Sequence, residues 1–355
     1  MDFLLVAMPV AIALRYVPGW NNGTALFLVA GIAIVPLAGW MGRATEQLAA
    51  RSGAGIGGFL NATFGNAAEL IIALVALSKG LTGVVKASLT GSIIGNLLLV
   101  LGASIFVGGI RFQKQTFNQT AARISSTALG LSAIGLLIPT IFHRAAAARP
   151  GGWTIEAEQR LSLAIVLVLF VTYFCSLVFN LVTHRDLFAG TGEHEPPEGL
   201  WPLWQSITVL AVATALIAWF SEFLVGSIEA ARHALGLTEM FVGVVVVALV
   251  GNAAEHSTAV WTAWKNKMDL SLTIATGSSL QMALFVTPVL VFCSYFFGTP
   301  MDLEFSLPEI ASIVLSIWIV GQISGDGESN WLEGLQLLSV YVIIAILFYF
   351  LPPLA

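Results

Sequence analysis

The chain has 355 residues, of which 57% are hydrophobic and 10% charged, with a formal net charge of −5. A soluble protein of this size carries about a quarter charged residues, so the composition excludes water as the solvent for most of its surface and selects lipid. It offers no basic run to hold nucleic acid. Cys175 and Cys293 lie inside apolar stretches without metal-ligand spacing, and read as small buried apolar groups rather than a disulfide.

A helix that crosses the hydrocarbon core needs about 20 mainly apolar residues. In chain order, candidates run Phe3–Val17, Ala25–Trp40, Ile56–Leu77, Val84–Gly108, Ser125–Phe142, Leu161–Val182, Ile207–Val225, Met240–Trp264, Leu270–Phe297, Ile310–Ile323 and Trp331–Leu351. The first and tenth are the shortest. The first has no positive flank and no Ala-x-Ala cleavage site, so it is expected to be a retained helix. The polar stretch from His184 to Gly199, with Glu193, Glu195 and Glu198 around Pro196-Pro197, separates six segments from five and reads as an exposed acidic linker or as a weak cation-sensing patch. Counting Lys and Arg on alternate loops gives eight against seven, which leaves the orientation open.

The chain contains an internal repeat. Gly65-Asn66-Ala67-Ala68-Glu69 recurs as Gly251-Asn252-Ala253-Ala254-Glu255, an offset of 186. The same offset maps Gly57 onto Gly243, Lys79 onto Lys265 and Thr90-Gly91-Ser92 onto Thr276-Gly277-Ser278. The copies lie in the third and eighth spans. Five crossings per copy is an odd number, so the second copy is expected to run inverted, with the substrate site near the bilayer midplane. The resulting expectation is an all-α polytopic protein of about 11 transmembrane helices. Residues 1–23 form an added peripheral helix, 24–183 and 204–355 the two inverted five-helix repeats, and 184–203 the linker.

Glu69 and Glu255 are the focus of that arrangement. An ionised carboxylate within lipid is costly and by default functional. Asn66 and Asn252 lie three residues earlier on the same helix face. The glycine before each asparagine permits a helix break, where exposed carbonyls would serve as further ligands. The following spans add Ser92, Ser278, Asn96 and Gln281. Each of these four also fits an interhelical hydrogen bond. Oxygen and amide donors without thiols or paired imidazoles suit calcium, magnesium or manganese. Two carboxylates neutralise one divalent ion or two protons, so the two are expected to compete and exchange by alternating access. His256 is either a hydrogen-bonded structural residue or a proton relay. Glu46 and Glu222 read as interface groups.

These motifs resemble the CAX-type calcium/proton exchangers of the calcium/cation antiporter superfamily. The resemblance rests on the run Gly57 to Glu69, on Gly251 to His256, on Gly91-Ser92, on Gly277 to Gln281 and on Ser221-Glu222-Phe223-Leu224-Val225, and it covers nearly the whole chain. It implies eleven helices with the first peripheral, a cytoplasmic N-terminus and a cytoplasmic linker. It also implies Asn66, Glu69, Asn252 and Glu255 as central ion residues, with Ser92, Ser278 and Gln281 beside them. Two departures stand out. Val247-Ala248-Leu249-Val250 replaces a stretch that commonly carries proline, and Ile94-Gly95-Asn96 lacks a usual serine. The transported species are then calcium and protons, with no cofactor and no enzymatic activity, in a cell inner membrane. Homo-oligomerisation is left open. The rival readings are a sodium/calcium exchanger, whose partner helices would be expected to carry more acids, and a passive divalent cation channel.

Overall fold

In the computed structural model of the protein, residues 2–20, 22–148, 152, 154–184, 187 and 199–352 are described. The acidic linker positions Glu193, Glu195, Pro196, Pro197 and Glu198 lie outside them. Nearly every described residue is helical. Backbone N–H and C=O groups in lipid must be satisfied within their own segment, which helices do.

The helices in order are α1 (Ala7–Tyr16), α2 (Gly23–Arg51), α3 (Gly53–Phe64), α4 (Ala67–Ser78), α5 (Thr82–Arg111), α6 (Gln119–Ala147) and α7 (Ile155–Thr183). They continue with α8 (Leu203–Gly226), α9 (Ile228–Leu235), α10 (Glu239–Trp264), α11 (Met268–Phe296), α12 (Leu307–Ile323) and α13 (Trp331–Phe350). Among the described residues, eight of these helices are long and apolar enough to cross a membrane. Phe3–Tyr16, Ala67–Ser78 and Leu307–Ile323 are shorter apolar helices. The third span expected from sequence is thus divided into α3 and α4. The first and tenth are short, as read.

Local chemistry sets the helix ends. Asn22, Asn118, Thr154 and Thr238 cap α2, α6, α7 and α10 by accepting from a backbone N–H in the first turn. Ser306 and Glu309 form a reciprocal capping box on α12. Gly80 and Gly298, both at φ 73°, follow α4 and α11 in a left-handed conformation that side chains resist.

The chain divides into two compact units. Unit 1 comprises residues 1–88, 194–254 and 349–355; unit 2 comprises 89–193 and 255–348. Unit 1 packs α1, α8 and α9 against α2, and α4 against α8. Unit 2 packs α6 against α7, α11 and α12, and α7 against α11. Small residues bring backbones together: a Cβ on Gly334 of α13 would lie 2.3 Å from the backbone nitrogen of Phe106 on α5.

Hydrogen bonds within each unit link loops of like parity. In unit 2 the loop after α5 joins those after α10 and α12. There Gln115 Nε2 donates to Ala263 O (2.9 Å) and to Asn266 Oδ1 (3.0 Å), and β1 (Gln115–Thr116) pairs antiparallel with β2 (Glu328–Ser329). In unit 1, Lys79 after α4 donates to the Glu222 carbonyl at the end of α8 (3.2 Å). An alternating path of crossings places those loops together, so the packing agrees with five crossings per copy.

Candidate functional site

Unit 1 holds Asn66, Glu69 and Asn252. α3 stops at Phe64 and α4 starts at Ala67, and Asn66 between them leaves the helical region (φ −98°, ψ 25°). The break expected at Gly65-Asn66 is present. It places Glu69 in the first turn of α4, where unbonded N–H groups and the positive end of the helix dipole favour a carboxylate. Asn66 and Glu69 are 2% and 5% exposed. Asn252 is buried and its Nδ2 donates to the Ala248 carbonyl (2.9 Å), so the amide oxygen is the atom it can offer a cation. Gly251 gives Glu69 its room. A Cβ there would lie 2.8 Å from Glu69 Cγ and 3.6 Å from Oε1.

The second copy is built differently. α10 runs unbroken through Gly251 and Asn252 as part of the α-helical stretch Ala248–Trp264, and a π-helical turn lies upstream at Val242–Val247. The carbonyl ligands expected from a second break are therefore not supplied at that point. Gly251 permits a break without imposing one, and the helix continues through it.

Unit 2 holds Ser92, Asn96, Glu255, His256, Ser278 and Gln281. α5 carries a π-helical turn at Gly95–Val100 and α11 one at Met282–Val286. Shifting the first by 186 gives 281–286, so wide turns occupy equivalent places in the two copies. Such turns concentrate at functional sites. Here they follow Ser92 and Ser278; Asn96 lies within the first, and Gln281 immediately precedes the second. Asn96, 1% exposed, donates from Nδ2 to Ser278 Oγ (2.8 Å). Ser278 in turn hydrogen-bonds the Glu255 carboxyl group. Because its oxygen accepts from Asn96, its single proton points to Glu255, and the carboxylate is the acceptor at the end of a directed chain. The other oxygen of Glu255, Oε2, is fully covered and has no hydrogen-bond partner among the described residues. His256 Nε2 is in the same condition. Ser92 is buried and Gln281 half-buried. Glu46 and Glu222 are exposed, which fits groups at a membrane surface.

Sequence reading missed the π-helical turns, which have no residue signature here beyond the repeated glycine-serine pairs preceding them. It also missed the directed Asn96–Ser278–Glu255 chain, which depends on α5 and α11 being neighbours.

Fold and repeat together define an all-helical, multi-pass membrane protein built from a duplicated half. The family model described as sodium/calcium exchanger protein matches residues 22–182 and 205–350. The chain belongs to that family. It is 47% identical to a Ca(2+)/H(+) antiporter of Synechocystis sp., across 99% of this chain and 97% of the relative. It is 46% identical to the Ca(2+)/H(+) antiporter ChaA of Bacillus subtilis, across 98% and 99%. The solved structure of native YfkE superposes with a TM-score of 0.83 at 42% identity, covering 99% of both chains.

Proposed function

We propose that this protein is a secondary active antiporter that exchanges calcium for protons by alternating access, and that Glu69 and Glu255 each bind both species. The observation that carries the reading is the pair of repeated carboxylates set in apolar spans. Glu69 sits at a helix N-terminus three residues after the buried Asn66, and Glu255 ends a hydrogen-bonded chain with one covered oxygen uncommitted. Asn66, Asn252, Ser92, Ser278, Asn96 and Gln281 supply the remaining oxygen donors. His256 adjoins Glu255 and is the candidate to pass protons. Relatives named for calcium/proton antiport across almost their whole length support the choice of ions. The compartment that fits is a cell inner membrane.

Two ionised carboxylates without counter-ions are costly to carry through a dry barrier. One calcium ion or two protons neutralise them equally, so movement between access states is tied to occupancy. In proteoliposomes, an imposed proton gradient drives calcium uphill, and Glu69→Gln or Glu255→Gln abolishes calcium-dependent proton movement. Wild-type exchange in either variant would refute the assignment. Uphill accumulation also separates an antiporter from a channel.

The second reading is sodium/calcium exchange, which the family description keeps in view. Against it, α5 and α11 offer Ser92, Asn96, Ser278 and Gln281 where sodium sites would be expected to carry further acids. A sodium jump at fixed pH that moves calcium would favour it.

A further inference from the structure

Unit 2 contains a second group of metal-ligating side chains on different elements. His143 lies near the end of α6, Glu158 in the first turn of α7, and Glu304 in the segment leading to α12. One ligand atom from each lies within 4.8 Å of the other two. His143 Nδ1 is 3.1 Å from both oxygens of Glu158. The Glu158 side chain is 4% exposed and that of His143 is 30% exposed, so the cluster has one buried wall and one open side.

The cluster is rigidly built. The segment Met301–Phe305 has no regular secondary structure, yet its backbone is clamped along its length. Met301 N donates to Ser294 Oγ (2.8 Å), Leu303 N to Ser162 Oγ (2.9 Å) and Phe305 N to Thr140 Oγ1 (3.1 Å), while Thr140 Oγ1 donates back to Phe305 O (3.2 Å). Met301, Leu303 and Phe305 are buried, and alternation in an extended chain turns Asp302 and Glu304 the other way. Asp302 Oδ1 accepts from Glu304 N (3.0 Å), which orients the segment further. Main-chain bonds thereby hold the Glu304 segment against α6 and α7.

We propose that His143, Glu158 and Glu304 form a binding site for a divalent transition metal, with zinc as the best fit, separate from the acids proposed for transport. A hydrogen-bonded pair of His143 and Glu158 needs no third partner, and a second carboxylate this close adds repulsion that a cation removes. One imidazole and two carboxylates with an open position is a donor set for zinc or manganese rather than for calcium, which prefers six to eight oxygens. Tetrahedral ligands about 2.1 Å from zinc lie roughly 3.4 Å from one another. The His143–Glu158 edge already approaches that spacing, so closing the site is a matter of Glu304 moving inward. Water completes the fourth position on the open side. Zinc would tie α6, α7 and the start of α12 into one block.

The test uses the full chain in detergent with zinc as the probe, in a Glu69→Gln/Glu255→Gln background so that the repeated acids do not bind it. The proposal expects one zinc ion per chain, X-ray absorption showing a single imidazole with oxygen neighbours, and a rise in unfolding temperature on zinc addition. His143→Gln should remove the ion and the thermal rise, and Glu304→Gln should weaken binding at least tenfold. Each variant is checked for monodispersity without zinc. Because Glu304 is half-exposed, its variant reports even if His143→Gln fails to fold. Absence of zinc binding in the background protein, or binding unchanged in both variants, would overturn the proposal.

Discussion

Gly251→Ala provides a sharp mutational probe of Glu69. The added Cβ would lie 2.8 Å from Glu69 Cγ and 3.4 Å from Cδ. Carbon atoms prefer about 3.5–4.0 Å, so Glu69 must retreat by at least about 0.7 Å. Cγ is not the free end of the side chain, and Glu69 is almost fully buried, so the carboxylate moves with it. Calcium ligands sit at about 2.3–2.6 Å, and a working metal site tolerates errors of only about 0.2 Å. Losing much of one charged ligand should cost at least ~1.4 kcal/mol of binding, a tenfold rise in the half-saturating calcium concentration. Overpacking of this kind costs the fold about 1–3 kcal/mol, and the protein should still purify as a monodisperse species. The assay is calcium-dependent proton flux in proteoliposomes over a calcium series. Gly277→Ala is the matched control, since a Cβ there meets nothing within 4 Å. Unchanged calcium dependence in Gly251→Ala, or equal loss in both variants, would refute the reasoning.

Other perturbations follow from the same contacts. Ser278→Ala cuts the chain from Asn96 to Glu255 and leaves a buried amide donor short of its acceptor, a loss of about 1–3 kcal/mol; calcium affinity should fall by tenfold or more, and Ser278→Thr should restore most of it. Gly334→Ala forces a Cβ to within 2.3 Å of the Phe106 backbone, which cannot swing away as a side chain could; thermal unfolding in detergent should begin several degrees lower, with calcium affinity of the folded fraction unchanged. Thr140→Val removes both hydrogen bonds to Phe305 and should lower the unfolding temperature by more than Thr172→Val, whose hydroxyl only returns to its own helix on an exposed face. Lowering pH at fixed calcium should reduce bound calcium, because protonation of Glu69 and Glu255 removes the charge that holds the ion.

Spans, repeat and acids were legible because each has a strong chemical signature. Hydrocarbon demands long apolar runs, and a carboxylate within one is conspicuous: Glu69 and Glu255 could be picked out with no structure at hand. The π-helical turns at Gly95–Val100 and Met282–Val286 were not legible, although the offset of 186 relates them once they are seen. The second helix break was expected from Gly251-Asn252 and is not there. Glycine only permits a break, and the neighbouring Val247 to Val250 impose none, so packing keeps α10 continuous. The first copy does break at the same Gly-Asn pair, so the pair itself is compatible with both geometries. The group of His143, Glu158 and Glu304 was invisible for another reason. Its members lie 15 and 146 residues apart along the chain, and only the clamped extended segment before α12 brings the last to the others.

The central claim is that calcium and protons displace one another from Glu69 and Glu255. The direct measurement is proton release on adding calcium to the purified protein in weakly buffered detergent. At a pH where both acids start protonated, the account predicts release of about two protons per calcium bound, falling to about one in either Glu→Gln variant that still binds. Calcium binding to wild type with no proton release would contradict it.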